Sequence, residues 1–146
     1  MALLRSLAIL VARNKDANPQ NLIVAHVNHR TRLESDADEQ FVCHVANQLG
    51  FKVRVGRADA KIPTSSPSQV HASEESLRDL RYDLLLKLAQ ESGARYLLTG
   101  HQKQDQIETI LFRVFRGTGL SGLRGIPRKR LINSSLTVVR PLLDLY

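Results

Sequence analysis

Short apolar runs alternate along this chain with longer segments whose apolar residues return at helical spacing, and that alternation limits the fold more than any other feature. Leu22-Ile23-Val24-Ala25-His26-Val27 is nearly uninterrupted, the mark of a strand covered on both faces. Residues 52–55, 95–99 and 136–140 read as three further strands, the last stopping at Pro141. Between them, residues 1–14 place Leu3, Leu4, Leu7, Leu10 and Val11 on one helical stripe. A second helix over 35–49 opens on Asp36, Asp38 and Glu39 and closes at Gly50. A third, capped by Ser73, runs to Glu91 with Leu77, Leu80, Leu84, Leu85 and Leu88 on its buried side. A fourth spans 104–115, and residues 61–72, with Pro63 and Pro67, read as a loop. Helix and strand in turn imply an α/β fold: a doubly wound, mainly parallel sheet with right-handed crossovers. There is no repeat and no low-complexity tract, so residues 1–146 are expected to form a single domain. In such sheets the first strand is usually central and borders the ligand crevice. Here a helix comes first, so the sheet is expected to lack its usual first strand.

Charge and cysteine content narrow the partners. The net charge is +7, and the cations gather in residues 30–32, 113–116 and 124–130, which suits a polyanion and equally a solvated basic surface. Cys43 is the one cysteine of the sequence, so these residues hold no disulfide framework, zinc cluster or Cys-x-x-Cys pair. It reads as a small buried thiol of a protein from the reducing cytoplasm. The apolar run after Arg5 is too short to span a membrane.

Four constellations carry candidate chemistry. His101, Gln104, Asp105 and Glu108 fall at i, i+3, i+4 and i+7, at the carboxyl end of the strand over 95–99, where such folds bind ligands. Ile107, Ile110, Leu111 and Val114 occupy the other side, which is expected to pack on the sheet. Carboxylates so placed hold Mg²⁺ or orient an amine, and His101 contacts phosphate or moves a proton; the plainer reading has Asp105 and Glu108 complementing the helix dipole. Ala25-His26-Val27-Asn28-His29 leaves its strand in the same way, and without a third ligand type nearby it reads as backbone positioning rather than a metal site. Arg78 and Arg81 reach phosphate, or sit on a solvated face with Arg78 paired to Glu74. The glycine-rich segment from Arg116-Gly117-Thr118-Gly119 to Gly125 allows close backbone approach to a ligand or simply stops a helix; no Gly-Lys-Ser/Thr follows it.

In this order the segments resemble the amino-terminal catalytic domain of the tRNA(Ile)-lysidine synthetase family, which belongs to the N-type ATP pyrophosphatases. The resemblance runs through Met1-Ala2-Leu3-Leu4, His26-Val27-Asn28-His29, Arg78-Asp79-Leu80-Arg81-Tyr82, Gly100-His101 to Glu108-Thr109, Arg116-Gly117-Thr118-Gly119-Leu120 and Val139-Arg140-Pro141-Leu142-Leu143-Asp144. It implies a Rossmann-like fold of the adenine nucleotide alpha hydrolase type, with ATP and Mg²⁺ as cofactors. Its partners would be the anticodon region of tRNA and free lysine. ATP adenylates the C2 oxygen of a wobble cytidine, and the lysine amine then displaces AMP. Asp105 would be the metal-binding or lysine-orienting carboxylate and Glu108 the support for the amine. His101, Arg78 and Arg81 would lie near the phosphates or the adenylate. Ala25, His26, Val27 and Gly100 would line the nucleotide, and Asn28, His29, Arg32, Thr109, Arg113 and Arg116 the substrate.

Three departures accompany the resemblance. The family's Ser-Gly-Gly-x-Asp-Ser phosphate loop precedes the Met-Ala-Leu-Leu position, so it and its strand are expected upstream of Met1, as the tRNA-binding carboxyl-terminal region is expected downstream. The family's paired aspartates are here Gln104-Asp105, and its His-Gly-Leu-Arg is His29-Arg30-Thr31-Arg32. Residues 1–146 alone are therefore expected not to turn over ATP. The alternatives are a tRNA-thiolating relative and a non-catalytic RNA-binding remnant; oligomeric state stays open.

Overall fold

The computed structural model describes residues 1–28, 34–57 and 74–145, with side chains of the third stretch from Arg78 onward. The expected loop over 61–72, the Ser73 cap, His29, the basic residues 30–32 and the side chain of Leu77 lie outside the described residues. The elements follow the expected alternation: α1 (Ala2–Arg13), β1 (Ile23–Asn28), α2 (Ser35–Gln48), β2 (Lys52–Arg57), α3 (Glu74–Glu91), β3 (Tyr96–Leu98), α4 (Lys103–Phe115), β4 (Lys129–Leu131) and β5 (Thr137–Val139). One strand was not expected. Lys129-Arg130-Leu131 is exposed throughout and pairs antiparallel with β5, so only its partner makes it a strand.

The chain forms two compact units, one of Ser6–Ser92 and one of Met1–Arg5 with Gly93–Tyr146. In the first, β1 and β2 pair in parallel, His26 opposite Val55 and Asn28 opposite Arg57. Helices α2 and α3 pack on these strands, and Val45, Ala46, Phe51 and Ala89 are buried. Leu80, Leu84, Leu85 and Leu88 are half-buried along α3, which agrees with the stripe read from their spacing. β1 differs from expectation. Val24 to Val27 are only half-buried and Ile23 is exposed, because among the described residues β1 pairs along one edge alone. Cys43 is likewise half-buried.

In the second unit the strand order is β3-β5-β4, with β3 and β5 parallel. Val138, at the centre of β5, is fully buried, and Leu97, Ile126, Leu136 and Leu143 close the core around it. Across both units parallel pairing with α-helical connections makes this an α/β fold. In α1, Leu3, Leu4, Leu7 and Val11 are half-buried, whereas Leu10 is exposed. Among the described residues, no helix is long and apolar enough to cross a membrane.

Candidate functional site

The carboxyl end of β3 turns into α4 through Thr99, Gly100, His101 and Gln102. His101 stands two residues before the helix, not on its first turn, and its Nδ1 lies 2.9 Å from Thr99 Oγ1. That bond orients the half-buried ring at the strand's end. Gly100 has φ outside the left-handed region, and a Cβ there would meet only Leu3 at an ordinary 3.9 Å. Its own packing therefore does not call for glycine.

Asp105 is the third residue of α4, and its Oδ2 accepts from the Gln102 backbone N–H at 2.6 Å. One carboxylate oxygen thus satisfies a donor that the helix start would otherwise leave orphaned, in addition to complementing the dipole. Glu108 and Gln104 are exposed and bonded to each other, Gln104 Nε2 donating to Glu108 Oε1 at 3.0 Å. Among the described residues no group of three or more His, Cys, Asp or Glu side chains is placed to hold a metal ion. A protein-built Mg²⁺ site asks for more oxygen ligands than these carboxylates bring together, so the donor set does not fit one.

The apolar side of α4 corrects the sequence reading. Ile107, Leu111 and Val114 are exposed rather than packed on a sheet. The half-buried stripe is instead Gln106, Thr109, Ile110 and Arg113, at i, i+3, i+4 and i+7, and it faces the loop that follows the helix. Gln106 pairs with the backbone of Ile126 in both directions: Ile126 N–H donates to Oε1 at 2.6 Å, and Nε2 donates to the Ile126 carbonyl at 3.3 Å. Two helical turns on, Arg113 Nη1 donates to the carbonyls of Gly122 and Gly125, each at 3.1 Å. The side chains of Gln106 and Arg113 therefore act as a clamp on residues 117–126. Arg113, expected at the substrate, has this guanidinium nitrogen in the loop.

The loop's glycines meet specific demands. Gly117 has φ +74°, and the bonds from Gly117 N–H to Val114 and from Thr118 N–H to Arg113 complete a Schellman end to α4. Gly125 has φ 62° and ψ −144°, a region that L side chains rarely enter, and a Cβ there would meet Gln106 at 2.6 Å. Past the clamp, Arg116 lies over the Phe112 ring at 4.0 Å, and Phe115 is 85% exposed. Arg140, from the Val-Arg-Pro segment, is buried and donates to the Pro127 carbonyl at 2.8 Å, while Arg128 pairs with Asp144.

In the other unit, the carboxyl ends of β1 and β2 meet the first turns of α2. Asn28 is 1% exposed, and its Nδ2 donates to Asp36 Oδ1 and Glu39 Oε2, both at 2.8 Å. Arg57, its register partner on β2, donates to Glu39 from Nη2 at 2.6 Å and from Nε at 3.3 Å. These bonds, Arg57's first and Asn28's second, hold the Glu39 carboxyl down at about 2. Asn28 was expected at the substrate. Its carboxamide instead ties β1 to α2; of the residues that complete the node, Glu39 reads in the sequence only as a helix-opening acid and Arg57 is not singled out. Only the meeting of the β2 end with the first turns of α2 reveals their pairing. Ala25, His26 and Val27 precede Asn28 on β1, half-buried, while Arg78 and Arg81 are exposed on α3; the side chain of Glu74 and residues His29 and Arg32 lie outside the described residues.

Comparison with known proteins bears on both units. A family model described as the PP-loop domain matches residues 1–146. The tRNA(Ile)-lysidine synthase of Chlorobaculum tepidum is 41% identical over 121 residues, covering 82% of this chain and 34% of that protein. That of Streptococcus gordonii is 39% identical over 84% of this chain and 26% of its own length, and that of Ralstonia nicotianae 34% identical over 94% and 28%. The chain thus spans about a quarter to a third of the length of these curated relatives. Among solved structures, the U34-tRNA thiolase NcsA from Methanococcus maripaludis with its [4Fe-4S] cluster superposes with a TM-score of 0.73 at 16% identity, over 98% of this chain and 48% of that one. That likeness bears on the fold, whereas the family model matches from the first residue to the last: the chain belongs to the PP-loop family.

Proposed function

We propose that this chain is the nucleotide-handling part of a tRNA-modifying enzyme that joins lysine to the C2 of a wobble cytidine in tRNA(Ile) at the expense of ATP. The observation that carries the reading is identity of 34–41% to tRNA(Ile)-lysidine synthases over 82–94% of the chain. ATP, lysine and tRNA are the partners this implies.

The chemistry is two displacements. The cytidine C2 oxygen attacks the α-phosphorus of ATP and pyrophosphate leaves; the lysine amine, deprotonated, then attacks C2 and AMP leaves. Asp105, with one oxygen fixed on the Gln102 N–H, offers the other to orient the amine. Glu108 stands one turn further along α4 as support for it. His101, oriented by Thr99, lies near the adenylate, and a glycine that its own packing does not need supports backbone approach of the nucleotide at Gly100. Ala25, His26 and Val27 line the nucleotide from β1, and Arg78 and Arg81 serve its phosphates. Arg116, exposed at the end of α4, faces the tRNA, whereas Thr109 lies on the half-buried side of that helix. Asn28 and Arg113 act indirectly, by holding backbone. Mg²⁺ accompanying the nucleotide would offset phosphate charge and would be held chiefly by phosphate and water oxygens, with Asp105 the carboxylate that could add to them.

A thiolation reading draws on the likeness to NcsA, but an iron–sulfur cluster takes cysteine thiolates and residues 1–146 offer Cys43 alone. The decisive measurement follows labelled lysine into tRNA carrying cytidine at the wobble position, with ATP present. Lysine-dependent label in the tRNA and release of AMP are expected from a catalytically complete protein containing these residues. Sulfur transfer in place of lysine, or tRNA binding with no ATP–pyrophosphate exchange, overturns the reading.

A further inference from the structure

The end of α4 and the loop clamped to it present a surface whose composition has a chemical meaning of its own. Residues 113–130 carry Arg113, Arg116, Arg124, Arg128, Lys129 and Arg130 and no acidic residue. Arg113 bonds within the clamp and Arg128 pairs with Asp144, while Arg116 rests on the Phe112 ring. Arg116 and Arg124 are exposed, as are Phe115 at 85% and Leu120 at 87%. An aromatic ring so exposed at a helix end loses the burial that usually justifies it, and an exposed π-face in a cationic segment offers what an unpaired base and its phosphate require.

The support beneath this surface is rigid. The Schellman end fixes where α4 stops, the Gln106 and Arg113 side chains hold the loop, and the Phe112 ring lies under Arg116 at 4.0 Å. Preorganisation of this kind reduces the entropy lost on binding. Charge selects the partner: a second copy of the chain would bring like charges together, whereas RNA brings phosphates. Exposed ring faces select unpaired nucleotides over a duplex, whose bases are stacked inside.

We propose that Phe115 is a base-stacking platform for unpaired RNA nucleotides, with Arg116 and Arg124 contacting the adjoining phosphates. This deepens the tRNA-modification reading and rests on it for the source of the RNA. The test measures binding of a fluorescein-labelled single-stranded RNA 12-mer to the 146-residue protein by anisotropy, with a second RNA carrying 2-aminopurine to report stacking. Phe115→Ala is expected to weaken binding by roughly 5- to 150-fold and to abolish the 2-aminopurine quench, with the salt slope unchanged. Phe115→Trp should restore both, and Arg116→Gln should reduce the salt slope by about 0.7. A duplex of equal length should bind more weakly than the single strand. Parent-like affinity and quench in Phe115→Ala overturn the proposal, as does a Phe115-dependent self-association that leaves RNA binding untouched. Lysine transfer to tRNA is scored separately, so a failed platform and a failed function give different results.

Discussion

Two polar anchors hold the backbone at strand and helix ends in this protein, and they work by different physics. The clamp on α4 uses a neutral carboxamide, Gln106, that copies backbone pairing at Ile126, with Arg113 adding a cation on two carbonyls. The node at β1 and β2 sets one buried carboxamide, Asn28, between two carboxylates, one of them gripped by Arg57. No carboxylate takes part in the first anchor, so it depends on shape. The second depends on an ionised Glu39 and answers to pH. Both consist of residues that read as ligand-facing, helix-opening or unremarked in the sequence, so polar motifs at the ends of strands here serve the scaffold as well as the ligand.

Shape dependence makes Gly125→Ala the most damaging change expected. It places a side chain in a backbone region that costs on the order of 1–3 kcal/mol, and the added Cβ overlaps Gln106, whose two bonds to Ile126 would be lost with it. Thermal unfolding should show a loss of about 3 kcal/mol or more. Protease cleavage within residues 117–126 should rise as well. A variant as stable as the parent would mean that the clamp does not hold the loop. Gln106→Ala tests the same contact from the other side and should cost less, about 1–3 kcal/mol, because the glycine backbone is left unstrained.

Asn28→Ala comes next in the charged anchor. The side chain is fully buried, and its loss leaves Asp36 and Glu39 without a shared donor, at about 1–2 kcal/mol. Asn28→Asp should be worse, since it puts a third carboxylate against the first two. If chemical denaturation finds the aspartate variant no less stable than the alanine one, the node is not the charge-sensitive anchor described.

Much of this arrangement was legible in the sequence, and the missing parts share a cause. Periodicity placed α1 to α4, β1 to β3 and β5, because apolar spacing announces that an element exists even where, as in α4, it misplaces the buried face. β4 has no such face: Lys129-Arg130-Leu131 is exposed and strand-like only through β5. The apolar residues Ile107, Leu111 and Val114 suggested a sheet-facing side of α4, yet the helix turns Gln106 and Arg113 inward because the following loop offers them carbonyls and an N–H. Asn28 lies 11 residues from Glu39, and Arg57 a further 18, so nothing local in the chain signals their meeting. The turn with His101 and Asp105 was found because its chemistry sits in one contiguous stretch.

The smallest expected effect is also the one that separates the two anchors most cleanly. Glu39 keeps its proton off down to about 2 in the folded protein, against an ordinary value of 4.5, so the folded state favours the ionised form. A group whose folded value is depressed contributes stability that is complete above its unfolded value and fades as pH falls through the folded one. Glu39→Gln should therefore lower the thermal midpoint most at pH 6–7, with the difference from the parent shrinking between about 4.5 and 2. The loss stays modest because Arg57 is 55% exposed and water screens the pair. Gln106→Ala, measured in parallel, should show no comparable convergence, since no carboxylate takes part in its bonds. Curves for Glu39→Gln that run parallel to the parent through this window would mean that the node holds by shape alone, like the clamp.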